Sequence, residues 1–165
     1  MCQYCGCQEI KTIGLLMAEH VEIQNYCGQT RRCVESEDIA GAIDQVRALA
    51  RVMQIHNAVE ERALYLSMTR FEEFEPQAGI LYEEHDELDE IIAATLALAD
   101  QGRPEQIDWR PVLCAFDVLY EHIIREDNGL FPAAAVVLDA ADWERCERVR
   151  EQAERSEQPS ASGSG

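Results

Sequence analysis

Four histidines and two glutamates carry the chemistry legible in this chain. His56 and Glu60 stand four residues apart, and so do His122 and Glu126. In a helix that spacing puts both side chains on one face, a turn apart. Each pair therefore offers a nitrogen and an oxygen to one point, and His20 and His85 add a nitrogen each from other segments. A core-facing stripe covers about three positions in seven, so all four histidines falling on such stripes by chance is on the order of 3 %. Glu60 and Glu126 lie on the same stripes, where an unpaired carboxylate is costly. A single buried histidine is more often a satisfied core residue; the convergence of six groups argues for a cation. One tetrahedral zinc takes fewer ligands, and calcium or magnesium wants mostly oxygen. Two carboxylates able to bridge, with imidazoles at both ends, suit a pair of iron or manganese ions. Six protein ligands leave such a pair short of octahedral coordination. Water, an oxo or hydroxo bridge, dioxygen, peroxide or nitric oxide could take the remaining positions.

The six residues are related by an internal repeat. Glu19-His20-Val21-Glu22-Ile23 matches Glu84-His85-Asp86-Glu87-Leu88, and the segment from His56 to Tyr65 matches that from His122 to Phe131. The offsets are 65 and 66 residues, so each half carries a His followed by His-x-x-x-Glu.

The elements that must position these residues are helices. Ile10, Ile13, Met17, Val21 and Gln24 recur at helical steps, and so do Ile39, Ala42, Val46, Leu49, Met53, His56, Glu60 and Leu64. Leu81, His85, Leu88, Ile92, Leu96 and Ala99 form a third stripe, and Val112, Ala115, Leu119, His122 and Glu126 a fourth. Acidic Glu35, Glu37 and Asp38 suit the start of the second helix, Pro76 the first turn of the third, and Asp108 the cap of the fourth. Gly102 and Pro104 punctuate one connection; Gly129 and Pro132 mark the expected end of the fourth helix. Helices of about 20 residues are about 30 Å long, and short connections make neighbours antiparallel. The expected fold is all-α, an up-and-down four-helix bundle with a short extra C-terminal helix opened by Asp139 and Asp142. The expected divisions are a Cys-rich segment at 1–8, the bundle at 9–138, the added helix at 139–155 and a disordered tail at 156–165.

The chain has 165 residues, enough for one domain, and 14 Lys+Arg against 32 Asp+Glu give a net charge of −18. So acidic a surface disfavours nucleic acid and anionic membranes as partners. No apolar run approaches the roughly 20 residues of a membrane span, and the first residues do not begin a signal peptide. Of the 7 cysteines, Cys2, Cys5 and Cys7 form a cluster that could be a thiol redox switch, an accessory metal site or a docking point for a redox partner. It could equally be a thiol-rich terminus without metal. Cys27 and Cys114 are expected to be small buried residues. The odd total without a leader suggests a reducing, cytoplasmic setting. Tyr26, Tyr65, Tyr82 and Tyr120 flank the ligand segments. One of them could fill a metal position, or all could pack as bundle aromatics, with hydroxyls near the surface or bonded to a ligand.

The order His20, His56-x-x-x-Glu60, His85, His122-x-x-x-Glu126 resembles the hemerythrin-like HHE cation-binding family over about residues 9 to 138. Glu126-Asp127-Asn128-Gly129-Leu130-Phe131-Pro132 is similar to the ending of that family's second repeat. The resemblance implies two non-haem iron ions with an oxo or hydroxo bridge inside the bundle. It differs from the oxygen carriers, whose third helix has two His a turn apart. Here Leu81 and Asp89 flank His85 at four residues. The carriers also place an Asp five residues after the last His, whereas Glu126 is four after His122. Both departures argue against reversible oxygen carriage and point to the bacterial, actinobacterial type. The roles implied there are catalase-like peroxide decomposition, nitric oxide peroxidase-like activity or other handling of O2, H2O2 or NO under oxidative or nitrosative stress. The alternatives are an oxygen or redox sensor without turnover, and delivery of iron for repair of iron–sulfur centres.

Overall fold

Two aspartates set where long helices begin. The Asp38 carboxylate accepts from the Gly41 amide at 3.0 Å and Asp108 from the Arg110 amide at 3.1 Å, each satisfying an orphan N–H of a first turn. A Cβ at Gly41 would stand 2.2 Å from Asp38 Oδ2, so a side chain there would displace the capping carboxylate. In a computed structural model describing residues 6–157, a short 3₁₀ turn (Cys7–Glu9) leads into α1 (Lys11–Glu35). There follow α2 (Ile39–Val59), α3 (Tyr65–Met68), α4 (Glu75–Asp100), α5 (Trp109–Arg125), α6 (Phe131–Val137) and α7 (Ala140–Glu157). Five-residue π-helical turns, Glu60–Leu64 and Glu126–Leu130, join α2 to α3 and α5 to α6, so each pair is one long helix with a single widened turn. Pro76 sits in the first turn of α4. Gly102, at φ 70°, closes its far end, with Arg103 and Gly102 donating back to Leu98 and Ala99.

The long helices form an all-α up-and-down bundle in which α1 packs on α2, α4 on α5, α2 on α4 and α1 on α5. The first two make one helical hairpin and the second two another. Helix α7 is the extra C-terminal helix and lies over α2 and the first π turn. The Asp139 carboxylate accepts from the amides of Ala141 and Asp142. Asp142 itself turns inward, 1 % exposed, and binds Ser67 Oγ at 3.1 Å and the guanidinium of Arg70. No helix among the described residues is long and apolar enough to cross a membrane.

The core is split. One apolar cluster gathers Ile13, Leu16, Leu64, Met68, Leu81 and Phe131; the other gathers Ile23, Leu49, Met53, Leu88, Phe116 and Ile123. Between them along every long helix lie the four histidines and two glutamates.

Some expectations need correction. Val21 is 41 % exposed and Gln24 half-buried; Leu16, His20 and Ile23 form the inner face of α1 instead. The fourth helix does not end at Gly129 and Pro132. Its π turn carries it on to Val137, with Pro132 just after that turn, where the regular ladder is being re-established and a missing N–H costs least. Cys114 is exposed and Cys27 half-buried, while Cys146 and Cys7 are buried. Cys2, Cys5 and the tail from residue 158 onward lie outside the described residues; α7 itself runs through Ser156 and Glu157.

Candidate metal centre

Each histidine comes from a different long helix: His20 from α1, His56 from α2, His85 from α4 and His122 from α5. Glu60 and Glu126 are the first residues of the two π turns. All six are at most 2 % exposed. The structure brings every one of them together. Glu60 Oε2 lies 3.1 Å from His56 Nε2 and 3.5 Å from His85 Nε2. Glu126 Oε2 lies 3.2 Å from both His20 Nε2 and His122 Nε2.

The widened turns belong to this arrangement. Opening the ladder at Glu60 sends the Tyr65 amide back to the Glu60 carbonyl, and the Phe131 amide returns to Glu126 in the same way. The aromatic five residues after each glutamate is thereby turned onto the centre. Phe131 stacks on His20 at 5.4 Å and 7°, and Tyr65 on His85 at 5.8 Å and 29°. π turns recur at functional sites, and here both sit at the same position of the repeat.

Every imidazole is backed by a carboxylate on its outer nitrogen. Within the hairpins, His56 Nδ1 faces Glu19 at 3.1 Å and His122 Nδ1 faces Glu84 at 2.9 Å. Across them, His85 Nδ1 faces Glu61 at 2.9 Å and His20 Nδ1 faces Asp127 at 2.9 Å. A proton held on Nδ1 by such a partner leaves Nε2 free to bind a cation. Asp127 stands five residues after His122, the spacing associated above with oxygen carriers, but its carboxylate serves His20 Nδ1 and not the centre.

Burial opposes charge throughout the site, and pairing overcomes it. Glu126 is held well below the usual carboxylate range: burial pushes it up, but the imidazoles of His122 and His20 outweigh that. Burial likewise pulls His56 and His122 down, yet their carboxylate neighbours, Glu60 and Glu19 for the first and Glu126 foremost for the second, raise them to about 10 and about 9. Glu19 is pushed up by burial, but its bonds from His56 and Arg150 bring it to about 2. For histidines raised in the folded state, the stabilisation is complete below the unfolded value near 6.5 and is lost as pH rises through 9 to 10. The metal-free protein is therefore expected to melt at a lower temperature at pH 10 than at pH 6, measured by circular dichroism. Metal uptake at pH 7 should release protons into weak buffer, because Nε2 must be bare to coordinate. A flat melting profile, or uptake without acidification, would remove this charge pattern.

The donor set fits metal. His20 Nε2, Glu60 Oε1 and Glu126 Oε2 are buried and make no hydrogen bond, a costly state unless a cation satisfies them. His85 Nε2 and His122 Nε2 point at each other across 3.1 Å. Atoms able to ligate a metal fall into two groups, each within 4.8 Å: His20, His56, Glu60 and Glu126, and Glu60, His85 and His122.

Of the four tyrosines that flank the ligand segments, the structure brings Tyr65 alone to the centre. It is fully buried, and its hydroxyl donates to Glu126 Oε1 at 2.5 Å and reaches Glu60 Oε2 at 3.3 Å. Tyr26 binds Glu22, Tyr82 the Glu61 carbonyl, and Tyr120 is 53 % exposed. The backing carboxylates were missed. Their signal was the repeat itself, since Glu19 and Glu84 directly precede the histidines, and Glu61 and Asp127 directly follow the glutamates.

An apolar cleft of about 280 Å³ between α4 and α5, lined by Leu88, Ile91, Ala115, Val118 and Leu119, also touches Glu84 and His122. Comparison with curated proteins and with solved structures gave no match. Residues 11–134 match the family model of the hemerythrin HHE cation-binding domain, three quarters of the chain and all six central residues. With a His/Glu centre able to take metal and a fold to hold it, this chain belongs to the hemerythrin HHE cation-binding domain family.

Proposed function

We propose that the chain is a non-haem di-iron protein that decomposes hydrogen peroxide. His20, His56, Glu60 and Glu126 would hold one ion, and Glu60, His85 and His122, with Glu126 in reach, the other. When bound, a pair of iron ions joined by an oxo or hydroxo bridge supplies two-electron redox chemistry at one point. Two molecules of H2O2 give two of H2O and one of O2, so protons must be moved within the site. Tyr65 is the observation that carries this reading beyond simple gas binding. Its hydroxyl touches both central glutamates, and burial together with those carboxylates keeps the phenol protonated. Tyr65 Oη thus keeps its proton at the centre, hydrogen-bonded to Glu126 Oε1, where it can be lent to a peroxide oxygen and taken back. The apolar clusters on either side exclude bulk water. A small neutral molecule needs no steering by an acidic surface, and the cleft that touches His122 is large enough to hold one.

The iron-loaded protein is expected to evolve oxygen from peroxide at an electrode. Tyr65→Phe should slow turnover by about 100-fold, the scale of general acid–base contributions, while iron content holds. No oxygen from the iron-loaded wild type would overturn the proposal. A spectrum that forms with O2 and reverses under vacuum would assign binding without turnover, and iron lost to an apo-acceptor would assign delivery.

A further inference from the structure

We infer that Arg150, on α7, is a positioning residue for the metal centre. It gives the first hairpin the cation that the second carries in its own sequence as Arg125. This rests on the reading that the six central residues hold two ions. Both within-hairpin carboxylates are gripped by arginine. Glu84, behind His122, takes Nη2 of Arg125 on both oxygens. Glu19, behind His56, takes Arg150 Nη1 at 2.5 Å and Nη2 at 3.0 Å. The repeat offset of 66 residues places Val59 where the second half has Arg125. Val59 is fully buried, in the same apolar cluster as Cys146 of α7. The first half thus packs an apolar residue at that position, and the helix lying over it returns the missing charge.

The geometry of α7 suits this work. Asp142 pins the start of the helix to Ser67 and Arg70. Arg150 follows eight residues on, about 12 Å along the axis. The Arg150 side chain is only 11 % exposed, against 39 % for Arg125. A two-pronged guanidinium fixes the plane of a carboxylate as a lysine cannot. Glu19 is thereby prevented from rotating off His56 Nδ1, and the His56 ring is held with Nε2 aimed inward. The domain match ends at residue 134, so this contact comes from chain beyond it.

The test uses the full chain loaded with ferrous iron without oxygen and challenged with a ferrous chelator. Wild type is expected to carry two ions and release them slowly. Arg150→Gln should release one of the two about tenfold faster, the low end for loss of a group that orients a ligand. Its circular dichroism should be unchanged, and Arg150→Lys should fall between the two. Arg125→Gln should accelerate one ion likewise, and the double variant both. Two ions in wild type with unchanged release from Arg150→Gln would overturn the inference alone. Equal acceleration of both ions with a lowered melting temperature would also overturn it, since that is general loosening. Wild type that takes up no iron would overturn the metal reading beneath it.

Discussion

Glu60→Gln is expected to empty the proposed di-iron centre, taking bound iron from about two ions per chain in the iron-loaded protein to well below one. Glu60 is the residue shared by both ligand groups. Its Oε2 faces an imidazole from each hairpin, at 3.1 Å from His56 and 3.5 Å from His85. The amide keeps the size of the side chain, so packing changes little. It removes the charge that lets two cations sit side by side and puts an N–H donor or a neutral oxygen where an anion is needed. His122→Ala, by contrast, takes a ligand from one group only and should leave about one ion per chain. Iron measured per chain after gel filtration separates the two outcomes. A Glu60→Gln protein that retains both ions would remove Glu60 from the centre.

Phe131→Ala carries the largest expected cost to the fold. Phe131 is fully buried among Leu130, Leu81 and Tyr65, and its ring lies parallel to His20. Truncation of a buried phenylalanine costs about 3–5 kcal/mol through lost burial and the cavity left behind. For a chain of this size that lowers the melting temperature by roughly 6–20 °C. Because the cavity opens beside His20, the loss should extend to metal binding at that side of the proposed centre. Phe131→Leu separates the two effects: it restores most of the volume and most of the melting temperature, yet not the flat face against the imidazole. Unaltered melting of Phe131→Ala would show that the π turn does not bring this ring into the core.

The bundle and its six central residues were legible because both depend on period. Apolar stripes at helical spacing give the helices, and polar residues on such stripes stand out as residues that need a reason. Spacing could not show where the period breaks. His56 and Glu60 read as ordinary neighbours at i and i+4, yet the turn opens at Glu60 and changes the direction of everything after it. Tyr65, five residues on, reads in the sequence as one of four equivalent tyrosines flanking the ligand segments and becomes the one of them at the centre. Val21 was misplaced for a simpler reason: an apolar residue beside a stripe extends it on paper, although the surface has room for it. Arg150 was invisible because its partner, Glu19, lies 131 residues away. No local pattern links two elements that meet only through the path of the chain.

The centre draws its groups from both hairpins. His20 pairs with Asp127 and Glu126 of the other hairpin, and His85 with Glu61 and Glu60. Neither hairpin owns a whole ligand group. Local opening in proteins proceeds by cooperative units, each with its own free energy, and the helical hairpin is the natural unit here. A bound ion adds its binding free energy, growing with the logarithm of free metal concentration, to one motion in particular, the parting of the hairpins. Fraying at the far ends of the helices is untouched. Hydrogen exchange should then show two separable units without metal and one with it, so that the cooperativity of this fold would follow the supply of metal as much as the packing of its apolar clusters.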